Sequence, residues 1–321
     1  MVTIDDIRKA AVRLDGVAVR TPLLEYPRLN ERVKGRVLLK AEIFQDTGSF
    51  KFRGAYNRIS QLTQAERAGG IMAYSSGNHA QGVAKAAQMV GTHAVILMPA
   101  DAPLAKIDGA KSYGAEIIHY DRYTEDRESI GSELARSRDL LLVPPFDDPN
   151  IIAGQGTCGL EIAEQARSRG CEVDQLLVCA GGGGLTSGCA IAMASEMPGA
   201  KVFAVEPEGY DDITLSLEKG ERVSVDPSRM SVADALLPPT PGKLTWPLMK
   251  QYVAGGLVVT DDEIRAAMAY AFRTLKLVVE PGGAAALAAV LSGRIETANR
   301  VTAVTLSGGN VGILNFFEIT S

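Results

Sequence analysis

The chain has 321 residues, 46% hydrophobic and 22% charged, a composition close to that of soluble globular proteins. At roughly 100–200 residues per domain this predicts about two domains and excludes a disordered chain. Lys and Arg total 33 against 38 Asp and Glu, a net charge of −5, which offers no electrostatic footprint for nucleic acid or an anionic membrane. No apolar run reaches the ~18–20 residues that span a bilayer. The opening Met1-Val2-Thr3-Ile4-Asp5-Asp6 lacks the regions of a signal peptide, so a cytoplasmic protein is expected.

The predicted elements alternate. Val37–Ala41 reads as the first strand. After Gly48-Ser49 the apolar residues Phe52, Ala55, Tyr56 and Ile59 repeat at helical spacing, with Ser49 as N-cap. Ile71–Tyr74 is a strand, and His79–Val90 a helix stopped by Gly91. Ala94–Met98, Glu116–Tyr120 and Leu140–Val143 follow as short Val-, Ile- and Leu-rich strands. The run Val143-Pro144-Pro145-Phe146-Asp147-Asp148-Pro149 marks a boundary. Strands then recur at Gln175–Cys179 and Val202–Val205, and Pro238-Pro239 marks a long surface loop. Residues 260–275 form the clearest helix: Thr260 and Glu263 make a capping box, and Ile264, Ala267, Met268, Ala271 and Leu275 share one face. Val301–Leu306 closes the series. Strands of this kind are buried on both faces of a parallel sheet, so the alternation predicts α/β architecture with open, mostly parallel sheets.

Ligands in such folds bind beyond the carboxyl ends of strands. The tips here read Ser75-Ser76-Gly77-Asn78-His79, Ala180-Gly181-Gly182-Gly183-Gly184-Leu185, Glu206-Pro207 and Ser307-Gly308-Gly309-Asn310. Four consecutive glycines carry no side chains to pack and cost backbone entropy. Their expected use is to wrap an anion with backbone N–H groups at a helix N-terminus. The loop matches neither a P-loop nor a dinucleotide fingerprint. Lys51, between Phe50 and Phe52 in the first turn of its helix, faces an unfavourable dipole. Desolvation would lower its pKa further and suit a Schiff-base amine. The four cysteines form no C-x-x-C pair, so they are expected to be buried hydrophobes. His93 and His119 adjoin apolar runs and are expected to be packed.

Taken together, these motifs resemble the fold type II pyridoxal-phosphate enzymes of the serine/threonine dehydratase and serine racemase group. The matching pieces are Ser49-Phe50-Lys51-Phe52-Arg53-Gly54-Ala55, Ser75-Ser76-Gly77-Asn78-His79-Ala80-Gln81-Gly82 and Gly181-Gly182-Gly183-Gly184-Leu185. Val205-Glu206-Pro207, Glu280-Pro281-Gly282-Gly283-Ala284 and Ser307-Gly308-Gly309-Asn310 complete the set. The six stand in the family's order and span nearly the whole chain.

The resemblance implies two open αβα-layered domains of the tryptophan synthase β type. The large cofactor-binding domain would take residues 1–62 and 146–321, and a small mobile domain residues 63–145, with no C-terminal regulatory domain. Lys51 would hold pyridoxal 5'-phosphate as a Schiff base and act as acid/base, with Ser76 as a second acid/base. Phe50 would pack on the pyridine ring and Asn78 would bond its hydroxyl. Gly181, Gly182, Gly183, Gly184 and Leu185 would hold the phosphate, and Ser307 would face the pyridine nitrogen. Ser75, Ser76, Gly77, Asn78, His79 and Arg127 would bind substrate, with Arg53 a further candidate for a second carboxylate. Glu206, Tyr210 and Asp212 would bind Mg²⁺ or Ca²⁺, Tyr210 through its carbonyl. The implied activity is β-elimination of a small β-hydroxy-α-amino acid of the serine, threonine or 3-hydroxyaspartate type, giving a 2-oxo acid and ammonia. The alternative is serine or aspartate racemisation with elimination as a side reaction. A homodimer is implied by the family alone.

Overall fold

A computed structural model describes residues 1–321 apart from Ser76, Pro103, Arg122 and Tyr123, and apart from the side chains of residues 104–106 and 127–128. Its strands are β1 (Leu23–Glu25), β2 (Arg36–Ala41), β3 (Ile71–Tyr74), β4 (Ala94–Pro99), β5 (Glu116–Tyr120), β6 (Leu141–Leu142), β7 (Gln175–Cys179), β8 (Lys201–Pro207), β9 (Gly255–Val259) and β10 (Val301–Leu306). They form two sheets, one of six strands in the order β1-β2-β10-β7-β8-β9 and one of four in the order β5-β4-β3-β6. Every pairing is parallel except that of β1 with β2.

Side-chain alternation shows that both faces of each sheet are covered. In the large sheet Val37, Leu39, Leu177 and Val304 pack with the Ala-rich helix Pro281–Leu291. Their neighbours Leu38, Leu176, Val178 and Ala303 pack with helices Pro149–Ser168 and Gly184–Glu196. In the small sheet Ile71, Ala73 and Ile96 face one core, while Met72, Val95 and Leu97 face another. Each sheet is thus the middle layer of an αβα sandwich. Helices Pro149–Ser168 and Gly184–Glu196 approach so closely that a Cβ on Gly188 would stand 2.6 Å from the Gly156 nitrogen. No helix among the described residues is long and apolar enough to cross a membrane.

Eight expected strands are present, within a few residues at their ends. Two were not expected. β1 has three residues, too few to set a period. β9 opens with Gly255-Gly256, which reads as a break; a Cβ on Gly256 would fall 1.9 Å from Thr214 Oγ1. The capping box at Thr260 and Glu263 is present, and the Asp261–Tyr270 helix runs into a π turn over Ala271–Leu275. Ser49 does not cap the Lys51–Ile59 helix: Phe50 stands at the N-cap, without a side-chain hydrogen bond. Ser49 instead forms an antiparallel bridge with Gly308. His93 and His119 are exposed rather than packed; His93 meets Glu116 at 3.2 Å. Three cysteines are buried, Cys171 is partly exposed, and all four are free thiols.

Candidate active site

Lys51 is the first residue of the Lys51–Ile59 helix. Its Nζ donates to the Pro145 carbonyl at 2.7 Å and stands 5.2 Å from the Phe50 ring centre. Dense packing lowers its pKa to about 8, opposed by the carboxylate of Glu280. Of the two effects expected, desolvation and the helix dipole, desolvation is the leading cause.

Four chain segments converge on this lysine. The Phe50 N–H donates to the Ser307 carbonyl at 3.0 Å, next to the Ser49–Gly308 bridge. The tip of β10 is thereby stitched to the Lys51 helix. The Asn78–Val90 helix comes from β3 and packs its Gly82 against the Lys51 backbone, where a Cβ would sit 3.2 Å from the Lys51 carbonyl carbon. Asn78, at the start of that helix, donates from Nδ2 to Glu280 Oε1 at 2.5 Å. Pro145-Phe146 runs from Lys51 to the glycine loop.

That loop corrects the sequence argument. Its glycines are required by close packing as well as by backbone freedom. A Cβ on Gly182 would fall 2.4 Å from the Phe146 ring, and one on Gly184 3.0 Å from Phe146 Cβ. Gly183 has a φ of +90°, and a Cβ there would meet Met249 Cε at 2.6 Å. Thr245 Oγ1 donates to the Gly182 carbonyl at 2.7 Å. The Pro238 loop lies against Gly181, 3.1 Å from an added Cβ, so it is packed on the site rather than merely superficial. The backbone N–H groups that open the Gly184–Glu196 helix lie here, and the buried Thr186 Oγ1 beside them has no hydrogen-bond partner among the described residues. A neutralisable amine, an N-terminal glycine cradle and an orphaned hydroxyl form a set that suits an aldehyde bearing a phosphate.

The PALP family model, described as pyridoxal-phosphate dependent enzyme, matches residues 14–308. The chain belongs to this family. It is 39% identical over 319 residues to serine racemase of Schizosaccharomyces pombe, covering 99% of this chain and 97% of that protein. It is 40% identical over 314 residues to L-threo-3-hydroxyaspartate ammonia-lyase of a Pseudomonas species, covering 98% and 97%. The solved structure of maize serine racemase superposes with a TM-score of 0.92 at 36% identity, covering 99% of this chain and 96% of that one. The fold is that of the type II pyridoxal-phosphate enzymes.

Within the family frame, Lys51, Phe50, Asn78, Ser307 and the Gly181–Gly184 loop are brought together by the contacts above. Leu185 follows the glycines with its side chain buried in the core. Ser307 is buried, and hydrogen bonds from it and from Thr305 partly offset the burial that pushes up the Cys179 thiol. Ser75 Oγ accepts from the Gly77 N–H at 3.1 Å, a turn ahead of Asn78. His79 is buried, with Nε2 2.9 Å from the Val143 carbonyl, so it donates there as a neutral ring. Burial and the nearby lysine lower its pKa to about 3. Ser76 and the Arg127 side chain lie outside the described residues.

Arg53 overturns its expectation. It is neither a substrate ligand nor a solvated helix residue. It is buried and reaches Glu42 at 2.7 Å and Glu161 at 2.6 Å. Lys40 joins Glu161 at 2.6 Å, so two cations and two carboxylates close a buried network behind the Lys51 helix.

Glu206, Tyr210 and Asp212 gather at the end of β8. Glu206 accepts from the N–H groups of Ile213 and Thr214, both at 2.8 Å, and from Thr214 Oγ1 at 2.6 Å. Asp212 is buried, and neither of its oxygens has a hydrogen-bond partner among the described residues. Burial raises Glu206 to about 7. Burial and then Glu206 raise Asp212 to about 9. Tyr210 Oη stands 2.8 Å from the carbonyls of Pro227 and Arg229, which leaves only its backbone for any ion. No group of three or more His, Cys, Asp or Glu side chains suited to a metal ion occurs among the described residues.

Sequence reasoning assigned no role to Glu280, Asn310, Thr186, Thr245 or the Pro145 carbonyl. Glu280 and Asn310 were visible as polar residues beside Gly- and Pro-rich turns. Thr245 and Pro145 matter through contacts 63 and 94 residues distant in sequence, which no local pattern marks.

Proposed function

We propose that the protein eliminates water from a small β-hydroxy-α-amino acid, releasing a 2-oxo acid and ammonia. The observation that carries this is the Lys51 amine, half-buried and lowered to about 8 among residues in the family's arrangement. Pyridoxal phosphate, when bound, supplies a sink for the electron pair left at Cα. Lys51 would hold it by its aldehyde carbon and, once freed, take the Cα proton. The glycine loop and the helix it opens would hold the phosphate. Phe50 would lie against the ring, and Asn78 would meet its hydroxyl. Ser307 would face the pyridine nitrogen with a hydroxyl that does not enforce protonation, which favours expulsion of a β-leaving group over transamination. Neutral His79 would fix the Ser75–His79 turn that receives the substrate carboxylate. The β-hydroxyl departs as water, and hydrolysis of the resulting enamine gives the oxo acid and ammonia.

Serine or aspartate racemisation is the second reading, favoured by the near-equal identity to the yeast serine racemase. A panel of both enantiomers of serine and threonine, with all stereoisomers of 3-hydroxyaspartate, separates the two. Rapid 2-oxo acid release from one stereoisomer establishes the elimination. Enantiomer formation without it establishes the racemase, and the absence of both products overturns both readings for these compounds.

We assign a Mg²⁺ or Ca²⁺ site to Glu206, Asp212 and the Tyr210 carbonyl. Two buried carboxyl groups, one with both oxygens unpartnered among the described residues, form a pocket that a hard cation would neutralise. We also propose that residues 63–145 form a small mobile domain over the remainder. The confinement of β3–β6 to residues 71–142 supports it, and closure would exclude water. A homodimer fits the exposed apolar side chains of Phe44, Phe272, Val278, Ile313, Leu314 and Phe317. Phe272 packs edge-on against Phe316 of the Ile313–Thr320 helix at 5.3 Å, and Gly309 ahead of that helix lies against Ile43 and Val278. Free thiols suit the reducing cytoplasm.

A further inference from the structure

The Asn78 amide is gripped at both ends, and a backbone carbonyl fixes which end is which. The carbonyl of Thr47 can only accept. Asn310 stands 2.7 Å from it and so must turn Nδ2 that way. The same Nδ2 lies 2.8 Å from Asn78 Oδ1. Both Asn310 amide hydrogens are then committed, and Asn78 must show it an oxygen. An amide that shows oxygen on one side shows NH₂ on the other. That NH₂ donates to Glu280 Oε1, and its second hydrogen has no acceptor among the described residues.

The surroundings are shaped to admit this chain of contacts. Gly48 has a φ of +70°, and a Cβ there would fall 2.4 Å from Asn310 Oδ1. A Cβ on Gly308 would fall 2.2 Å from Glu280 Oε1 and 3.1 Å from Asn78 Nδ2. The relay therefore requires a glycine at each of its flanks.

We propose that Asn310 and Glu280 are positioning residues that lock the Asn78 amide so that it offers the cofactor ring oxygen a proton and never a lone pair. The inference rests on the assignment of Asn78 to that oxygen. A locked donor stabilises the ring oxygen as an anion. A freely flipping amide would present its carbonyl part of the time and favour the protonated oxygen. Asn310 makes no contact with the cofactor in this scheme; it acts wholly through Asn78.

The test is the absorption spectrum of the holoenzyme loaded with pyridoxal phosphate. Asn310→Ala removes the donor facing Asn78 Oδ1. It is expected to move absorbance from the visible band to the near-ultraviolet band of the oxygen-protonated form. The band ratio should change on the order of two- to tenfold, the span of one neutral hydrogen bond. In an Asn78→Ala background the same substitution is expected to change nothing. Should the alanine variant not fold, Asn310→Ser, with one hydroxyl proton in place of two, is expected to shift the ratio less and in the same direction. An unchanged ratio in a folded Asn310 variant overturns the proposal, as does an equal shift in both backgrounds. Failure of the parent protein to take up pyridoxal phosphate overturns the functional reading instead.

Discussion

Lys51 differs from a surface lysine in its surroundings, and the difference is measurable. With a pKa of about 8, its amine is protonated below that pH and neutral above it. Only the neutral form attacks an aldehyde. Capture of pyridoxal phosphate by apoprotein is therefore expected to accelerate as pH rises through about 8, and stopped-flow absorbance reads it. Acceleration centred near ~10.4, the value of an unperturbed lysine, would contradict the burial argument. Lys51→Ala should abolish both the visible chromophore and turnover. Asp212 and Glu206 give a second pH signature. Both folded pKa values are raised, so the native state holds protons that the unfolded chain has released. Stability must fall as pH rises from the ordinary carboxylate range toward about 9. Melting temperatures of chelator-treated protein should follow that slope, and Mg²⁺ or Ca²⁺ should remove it. Asp212→Asn should make it shallower without a cation and end it near pH 7, where Glu206 alone still titrates. At this scale the sequence revealed Lys51 through its two phenylalanine neighbours and its place after Gly48-Ser49. It could not reveal Arg53, whose partners Glu42 and Glu161 lie on other elements.

The loops and helices around the site are fitted to one another by steric contact more than by polar bonds. Gly182→Ala would drive a methyl group into the Phe146 ring. Overpacking of this kind costs about 1–3 kcal/mol, and the displaced loop should bind pyridoxal phosphate more weakly. Phe146→Leu in the same chain should restore part of both, as urea titration and cofactor affinity will report. The buried Lys40, Arg53, Glu42 and Glu161 network makes the converse case. Arg53→Met leaves Glu42 buried without its guanidinium, a change that costs about 3–5 kcal/mol. Urea midpoints near those of the parent protein would contradict it. Elements with a run of Val, Ile or Leu, such as β4 and β7, were legible because burial on both faces writes itself into consecutive residues. β1 and β9 were not. The first is too short to show a period, and the second begins with glycines whose smallness serves Thr214 rather than a turn. The glycine loop was legible as the turn from β7 into the Gly184–Glu196 helix, but the packing that requires its glycines was not, since a sequence does not show which side chain will lie against a missing Cβ.

At the scale of the whole molecule, the exposed Ile313, Leu314 and Phe317 are costly on a monomer in water. Leu314→Asp with Phe317→Glu is expected to convert a dimer to monomers in sedimentation velocity; an unchanged parent species would place the contact elsewhere. The two sheets differ in a way that bears on how the protein is made. The four strands of the small sheet follow one another within residues 71–142, so they can assemble as soon as that stretch is available. The large sheet cannot. β10 lies between β2 and β7, so the strand of residues 36–41 meets its neighbour only when residues 301–306 have been synthesised. Until then the antiparallel β1–β2 pair has an open edge and Lys51 lacks the Ser307 strand tip beside it. On a ribosome the small layer should mature first, while the open strand edge waits as a surface for chaperones. The nascent chain would gain its cofactor-binding cleft only once synthesis of β10 is complete.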